Sequence, residues 1–92
     1  MAFEFHKDKE RYFRMQHETT RDYIIPFLET KIKVSAGLRI LEIGCAEAGV
    51  LKAFTDKGCT CLGIELASNR LETARYFMKD EMEKGLITFM DK

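Results

Sequence analysis

Two carboxylates and a turn of small residues are the parts of this chain whose types and spacing suit ligand chemistry. Glu42 stands two residues before Gly44 in the run Leu41-Glu42-Ile43-Gly44-Cys45-Ala46-Glu47-Ala48-Gly49, and Glu65 ends a second apolar run that starts at Thr60. Small side chains at Gly44, Ala46, Ala48 and Gly49 let a ligand approach the backbone closely, and a helix starting there offers free N–H groups to a polar or anionic group. The acid ending the second run suits a vicinal diol, because its two oxygens accept from two adjacent hydroxyls. Glu42 sits where a purely structural buried strand would carry another apolar side chain, so its carboxylate needs a partner. Backbone N–H groups in the turn are one candidate, and a cationic group such as an amino-acid ammonium is another. A tight strand-to-helix turn needs small residues for packing alone, so the two acids carry the functional reading, which is a nucleotide-type cofactor cleft.

The apolar patterning gives the elements that hold these residues. Leu38–Ile43 is a short run of branched residues and reads as a buried strand. Val50, Leu51, Ala53 and Phe54 make a helical stripe that closes at Lys57-Gly58. Thr60–Glu65 is a second strand. Ser68 is placed to cap a helix with Leu71, Ala74, Met78 and Met82 on one face as far as Lys84-Gly85, and Leu86–Met90 supplies a third strand. The order β-α-β-α-β predicts an α/β fold, a Rossmann-like half of a doubly wound parallel sheet with right-handed crossovers.

Residues 1–37 read as an N-terminal helical cap, with Tyr23/Phe27 and Ile24/Leu28/Ile32 recurring on one side. Pro26 removes a backbone donor, and a break is expected between Gln16 and Asp22. Residues 38–92 then form a partial cofactor-binding domain that stops after its third strand. The first strand would be a sheet edge without the charges or prolines that protect one. The chain is therefore expected to be the N-terminal piece of a longer protein or to have that edge covered by a partner, as in a homo-oligomer.

Acidic and basic side chains balance at 15 each, so there is no electrostatic case for nucleic acid or an anionic membrane surface. No apolar run approaches a membrane span and Met1–Asp8 contains no signal core, which makes a cytoplasmic location the expectation. Cys45, Cys59 and Cys61 fit reduced thiols, with Cys59 and Cys61 on one strand face, and no metal-ligand spacing is present. His6 and His17 read as surface histidines. Tyr12 and Phe13 are expected to pack on the sheet rather than fold over a cofactor, and Arg70, Arg75 and Lys79 form a solvated helix face.

In Leu41–Gly49 and Gly63-Ile64-Glu65-Leu66 the chain resembles the class I S-adenosylmethionine-dependent methyltransferases. Their first motif is an acidic residue followed by alternating glycines, and their second is an acid ending strand two. The resemblance runs from about Leu38 to Met90, and the helical preface looks like the cap such enzymes carry. It implies S-adenosyl-L-methionine as cofactor, with Gly44, Cys45, Ala46 and Gly49 lining the methionine part near Glu42. Glu65 would bind the ribose hydroxyls, Leu66 would pack beside the adenine, and Asp91 is a candidate for the polar contact to that ring. Ala46 and Ala48 stand where the family usually has glycine, and the second-half motifs that shape the acceptor site are missing.

The activity implied is methyl transfer by the full-length protein to a small-molecule acceptor, resting on alignment of acceptor, methyl and sulfur, with the isolated chain inactive. No catalytic base is identifiable. Two other readings remain. Gly44-x-Ala46-x-x-Gly49 with a later acid is a degenerate dinucleotide fingerprint, as in an NAD(P)-binding half of a dehydrogenase, although Glu42 would repel a pyrophosphate. The other is a non-enzymatic βαβ module that pairs through its sheet edge.

Overall fold

The three apolar runs pair as parallel strands in the computed structural model, which describes residues 2–91, with side chains from position 8. β1 (Arg39–Ile43), β2 (Thr60–Ile64) and β3 (Ile87–Met90) lie in the order β1-β2-β3. The α/β arrangement expected from the sequence is therefore present. Register sets Ile40 beside Cys61 and Ile87, and Glu42 beside Gly63 and Phe89. The alternate rows, Leu41-Leu62-Thr88 and Ile43-Ile64-Met90, point to the other face.

Only the first of these faces is covered. α3 (Gly49–Thr55), α4 (Ser68–Phe77) and α5 (Lys79–Glu83) supply Leu51, Phe54, Leu71, Ala74 and Met78 to a core shared with Cys61, Ile87 and Phe89. β1 is consequently not the fully buried strand that its apolar run predicts: Leu41 is 57% and Ile43 77% exposed. A continuous apolar run implies cover on both faces, and among the described residues one face has none.

The helical preface departs from expectation in phase rather than in kind. α1 (Ala2–Thr19) does not break but widens into a π-helical turn at Thr20–Ile24, where the Ile25 N–H bonds to Thr20 O, and continues as α2 (Ile25–Leu28) with Pro26 in its first turn. One i→i+5 turn advances the buried stripe by one residue. Thr20 and Ile25 face inward, whereas Tyr23 and Phe27, expected on the apolar side, are each 74% exposed.

The second crossover also differs from its expected form. Ser68 does not cap; Ala67, in extended conformation, precedes the helix with no side-chain cap. The single long helix is interrupted at Met78 (φ −107°, ψ 21°), which rotates α5 out of phase with α4. Met82 drifts to the surface and Glu81 is buried in its place, accepting from Lys52 Nζ at 2.6 Å.

α1 lies across α3 and reaches α4. Phe13 packs on Phe77 (centroids 4.8 Å apart) and against the core cluster that the helices share with the sheet, while Tyr12 is exposed. Lys9 Nζ donates to Thr73 Oγ1 at 3.0 Å, and His17 Nε2 lies 2.7 Å from Asp56 Oδ2. His17 is thus engaged at the end of α3 rather than free on the surface, and the His6 side chain lies outside the described residues. Among the described residues no helix is long and apolar enough to cross a membrane.

The crossing depends on Gly49, where an added Cβ would stand 2.4 Å from Phe13 O and 2.7 Å from Gln16 Cβ. Alanine normally strengthens a helix by ~0.5–1 kcal/mol over glycine. Here Gly49→Ala is expected to destabilise by about 2 kcal/mol, the range of overpacking, as measured by urea denaturation.

Candidate functional site

The turn after β1 folds back on β2: the N–H groups of Gly44 and Cys45 both reach Ile64 O, at 2.7 and 3.0 Å. Its backbone alternates through the left-handed region, with φ of +76° at Gly44, 50° at Ala46 and 72° at Ala48. Glycine adopts that region freely, whereas an L side chain is strained there by roughly 1–2 kcal/mol. Ala46 and Ala48 therefore keep the glycine-type conformation despite their methyl groups. Ala48, fully buried, precedes α3, and its N–H closes the turn on Cys45 O at 2.8 Å.

Glu65 sits immediately beyond β2 and grips two turns at once. The Ala46 N–H donates to Oε1 at 2.8 Å and the Ala67 N–H donates to Oε2 at 3.0 Å. These bonds favour the ionised form. The Ala67 N–H, followed by that of Ala46, holds the carboxyl below the ordinary carboxylate value against an opposing desolvation. The Ala67 donor is not legible in the sequence, because any residue but proline carries a backbone N–H.

Glu42 contrasts with Glu65. It lies on the covered face beside Gly63, with Oε1 buried and unpartnered among the described residues. Burial pushes its carboxyl up to about 7 from 4.5. Cys45 is buried next to it, and burial, then the neighbouring Glu42 and Glu65, push its thiol up to about 11. Burial likewise raises Cys61 to about 12. All three cysteines are free, protonated and poor nucleophiles. Gly63 makes room for the turn, since a Cβ there would meet Cys45 Sγ at 2.8 Å.

The structure thus brings Glu42, Gly44, Cys45, Ala46, Gly49 and Glu65 to one end of the sheet, the C-terminal end of its strands. Leu66, 77% exposed, and Asp91, directly after β3, are at the same end. Glu47, which no pattern in the sequence singled out, is buried in the turn and lines a cleft with Tyr12, Asn69 and Arg70. His17 is not brought in: it lies at the C-terminal end of α3, about 10 Å of helix away from the turn. Among the described residues no group of His, Cys, Asp and Glu is arranged to hold a metal ion.

No protein-family model and no curated protein matches the sequence, but solved structures match its fold. A Methanococcus maripaludis protein described as an S-adenosyl-L-methionine-dependent methyltransferase superposes with a TM-score of 0.71 at 14% identity, over 95% of this chain and 40% of that one. A Galdieria sulphuraria protein described as a sarcosine dimethylglycine methyltransferase gives 0.67 at 12% identity, over 77% of this chain and 27% of that one. Magnesium protoporphyrin IX methyltransferase from Synechocystis, solved with bound SAM, gives 0.65 at 18% identity, over 91% of this chain and 40% of that one. The chain spans 27–40% of the length of these structures. The likeness is one of fold.

Glu42 couples stability to pH. The folded chain keeps its proton to about pH 7, while the unfolded chain releases it near 4.5. Stability should therefore fall as pH rises through that window. Allowing for partial solvent access, the loss is about 1–2 kcal/mol, and the slope should vanish in Glu42→Gln, measured by urea denaturation across the range. Ala46→Gly, at the less buried of the two left-handed alanines, should raise stability by about 0.5–1 kcal/mol, as strain relief outweighs the greater freedom of the unfolded chain. A lowered denaturation midpoint would contradict the strain.

Proposed function

We propose that this chain is the S-adenosyl-L-methionine-binding part of a methyltransferase whose full-length form methylates a small-molecule acceptor. The observation that carries the reading is the Glu65 carboxylate, fixed by the Ala46 and Ala67 N–H groups at the strands' C-terminal end. Each oxygen spends one lone pair on a backbone donor and keeps another, so a rigid pair of acceptors remains for two adjacent ribose hydroxyls. The buried, unpartnered oxygen of Glu42 beside the turn suits a cationic group, and the ammonium of the cofactor's methionine part is such a group. Gly44, Cys45, Ala46 and Gly49 provide the backbone against which that part lies, and Leu66 is exposed for contact with the adenine.

When bound, the sulfonium supplies an already activated methyl group, so the chain's own task is to bind and orient. Among the described residues no histidine lies at the turn, and the three thiols are protonated. The chain alone is therefore expected to bind cofactor without turnover. A dinucleotide fits less well, because Glu42 would be desolvated beside a pyrophosphate.

Calorimetric titration with S-adenosylhomocysteine, with NAD in parallel, tests the reading. Saturable binding of the first alone is expected. Glu65→Ala should weaken it by at least about tenfold, the effect of losing hydrogen bonds to a charged group, while circular dichroism reports whether the fold persists. Binding of NAD alone, or of neither ligand by the folded chain, would overturn the assignment.

A further inference from the structure

We propose that the cleft between α1, the turn after β1 and the start of α4 is a second ligand site, taking a small zwitterion of the α-amino-acid type with its ammonium at Glu47. Glu47 carries the argument. It is only 7% exposed, yet among the described residues its carboxylate takes part in no hydrogen bond and no ion pair. A buried carboxylate without a donor or cation is costly, and what completes this one must enter through the cleft that its side chain lines. That cleft has a volume of about 320 Å³ and is walled by Asp8, Lys9, Tyr12, Asn69 and Arg70 as well as Glu47. Its size lies at the lower end of the ~300–1,000 Å³ range of small-molecule sites.

The backbone that carries Glu47 is pinned on both sides. Ala46 donates its N–H to Glu65 Oε1 at 2.8 Å, and Ala48 is fully buried with φ of 72°. On the other wall α1 is fastened to α4. Lys9 Nζ donates to Thr73 Oγ1 at 3.0 Å, and Phe13 packs on Phe77 one turn further along. The walls therefore stand before any ligand arrives, and binding costs little reorganisation.

The charges around the cleft name the ligand class. Asp8 and Glu47 are acidic and Lys9 and Arg70 basic, so the lining is balanced in sign. A lone cation would gain at Glu47 and lose at Arg70, and a lone anion the reverse. One small molecule carrying both charges gains at both ends. Its ammonium meets the Glu47 carboxylate, with Asp8 contributing a second negative charge. Its carboxylate meets the Asn69 amide and the Arg70 guanidinium, which acts on Glu65 through its field and makes no hydrogen bond or ion pair among the described residues. Tyr12, 60% exposed, offers a ring to the cation. A divalent metal fits less well, because among the described residues no third carboxylate, His or Cys joins Asp8 and Glu47. None of the six lining residues belongs to the cofactor contacts proposed above, so the two readings stand or fall separately.

Nuclear magnetic resonance titration of the full chain with glycine, at fixed pH and ionic strength, tests the site. Saturable shifts are expected at the amides of Glu47, Asn69 and Arg70. Glycine should bind at least about tenfold more tightly than methylamine or acetate, each of which carries one of its two charges. Glu47→Gln and, separately, Arg70→Gln should each weaken glycine by about tenfold, with the remaining resonances unmoved. The shifts should persist under saturating S-adenosylhomocysteine. Displacement by that ligand would give the cleft to the amino-acid end of the cofactor and overturn a second site. Shifts that do not saturate, or binding indifferent to both substitutions, would overturn it as well. Glycine binding by a chain that takes no S-adenosylhomocysteine would support this site and overturn the cofactor reading instead.

Discussion

At the C-terminal end of the sheet the connection after β1 and the connection after β2 meet, and the Glu65 carboxylate joins them. It accepts from Ala46 in one turn and from Ala67 in the other, so neither turn is free to move without breaking a charge-assisted hydrogen bond. The left-handed backbone at Ala46 and Ala48 persists under this constraint. Two alanines in that region together cost roughly 2–4 kcal/mol, and such strain survives only where the surroundings over-determine the conformation. Here they do, through the Ala46 bond to Glu65, the paired bonds of Gly44 and Cys45 to Ile64 O, and the burial of Ala48.

The two acids of the site are held in opposite electrostatic states by the same few residues. Glu65 is stabilised as an anion by backbone dipoles, whereas Glu42, burying an oxygen with no donor, is pushed toward protonation. A group of positive charge arriving beside Glu42 would relieve that penalty, and a second anion would add to it. The raised thiols of Cys45 and Cys61 result from the same crowding, which makes them packing residues rather than chemistry.

Much of this was legible in the residues themselves. The strands could be bounded to within a residue because branched apolar runs end at glycines and small-residue turns, and Glu65 stood out because an acid closing such a run has no packing role. What escaped depends on three-dimensional phase. The π-helical turn at Thr20–Ile24 inserts one residue into the periodicity, so Tyr23 and Phe27 looked like core and are exposed. The interruption at Met78 exchanges Met82 for Glu81 in the same way. Neither shift alters composition or spacing. Each comes from how the helix beside it docks: α1 must pass close over Gly49, and α5 must bring Glu81 to Lys52.

The asymmetry of the sheet links these observations. Both crossover segments lie on one face, so every row that includes Glu42 or Gly63 is buried and every row that includes Leu41 or Ile43 is open. The turn carrying Gly44 to Gly49 leaves β1 toward the covered face, where Gly63 makes room for Cys45. That packing requires Glu42 to share the covered side, and alternation then places Leu41 and Ile43 on the bare side. The half-buried acid and the exposed apolar row are thus two consequences of a single strand register. A one-residue slip of β1 would bury Leu41 and Ile43 but carry Glu42 out to solvent and detach the turn from Ile64.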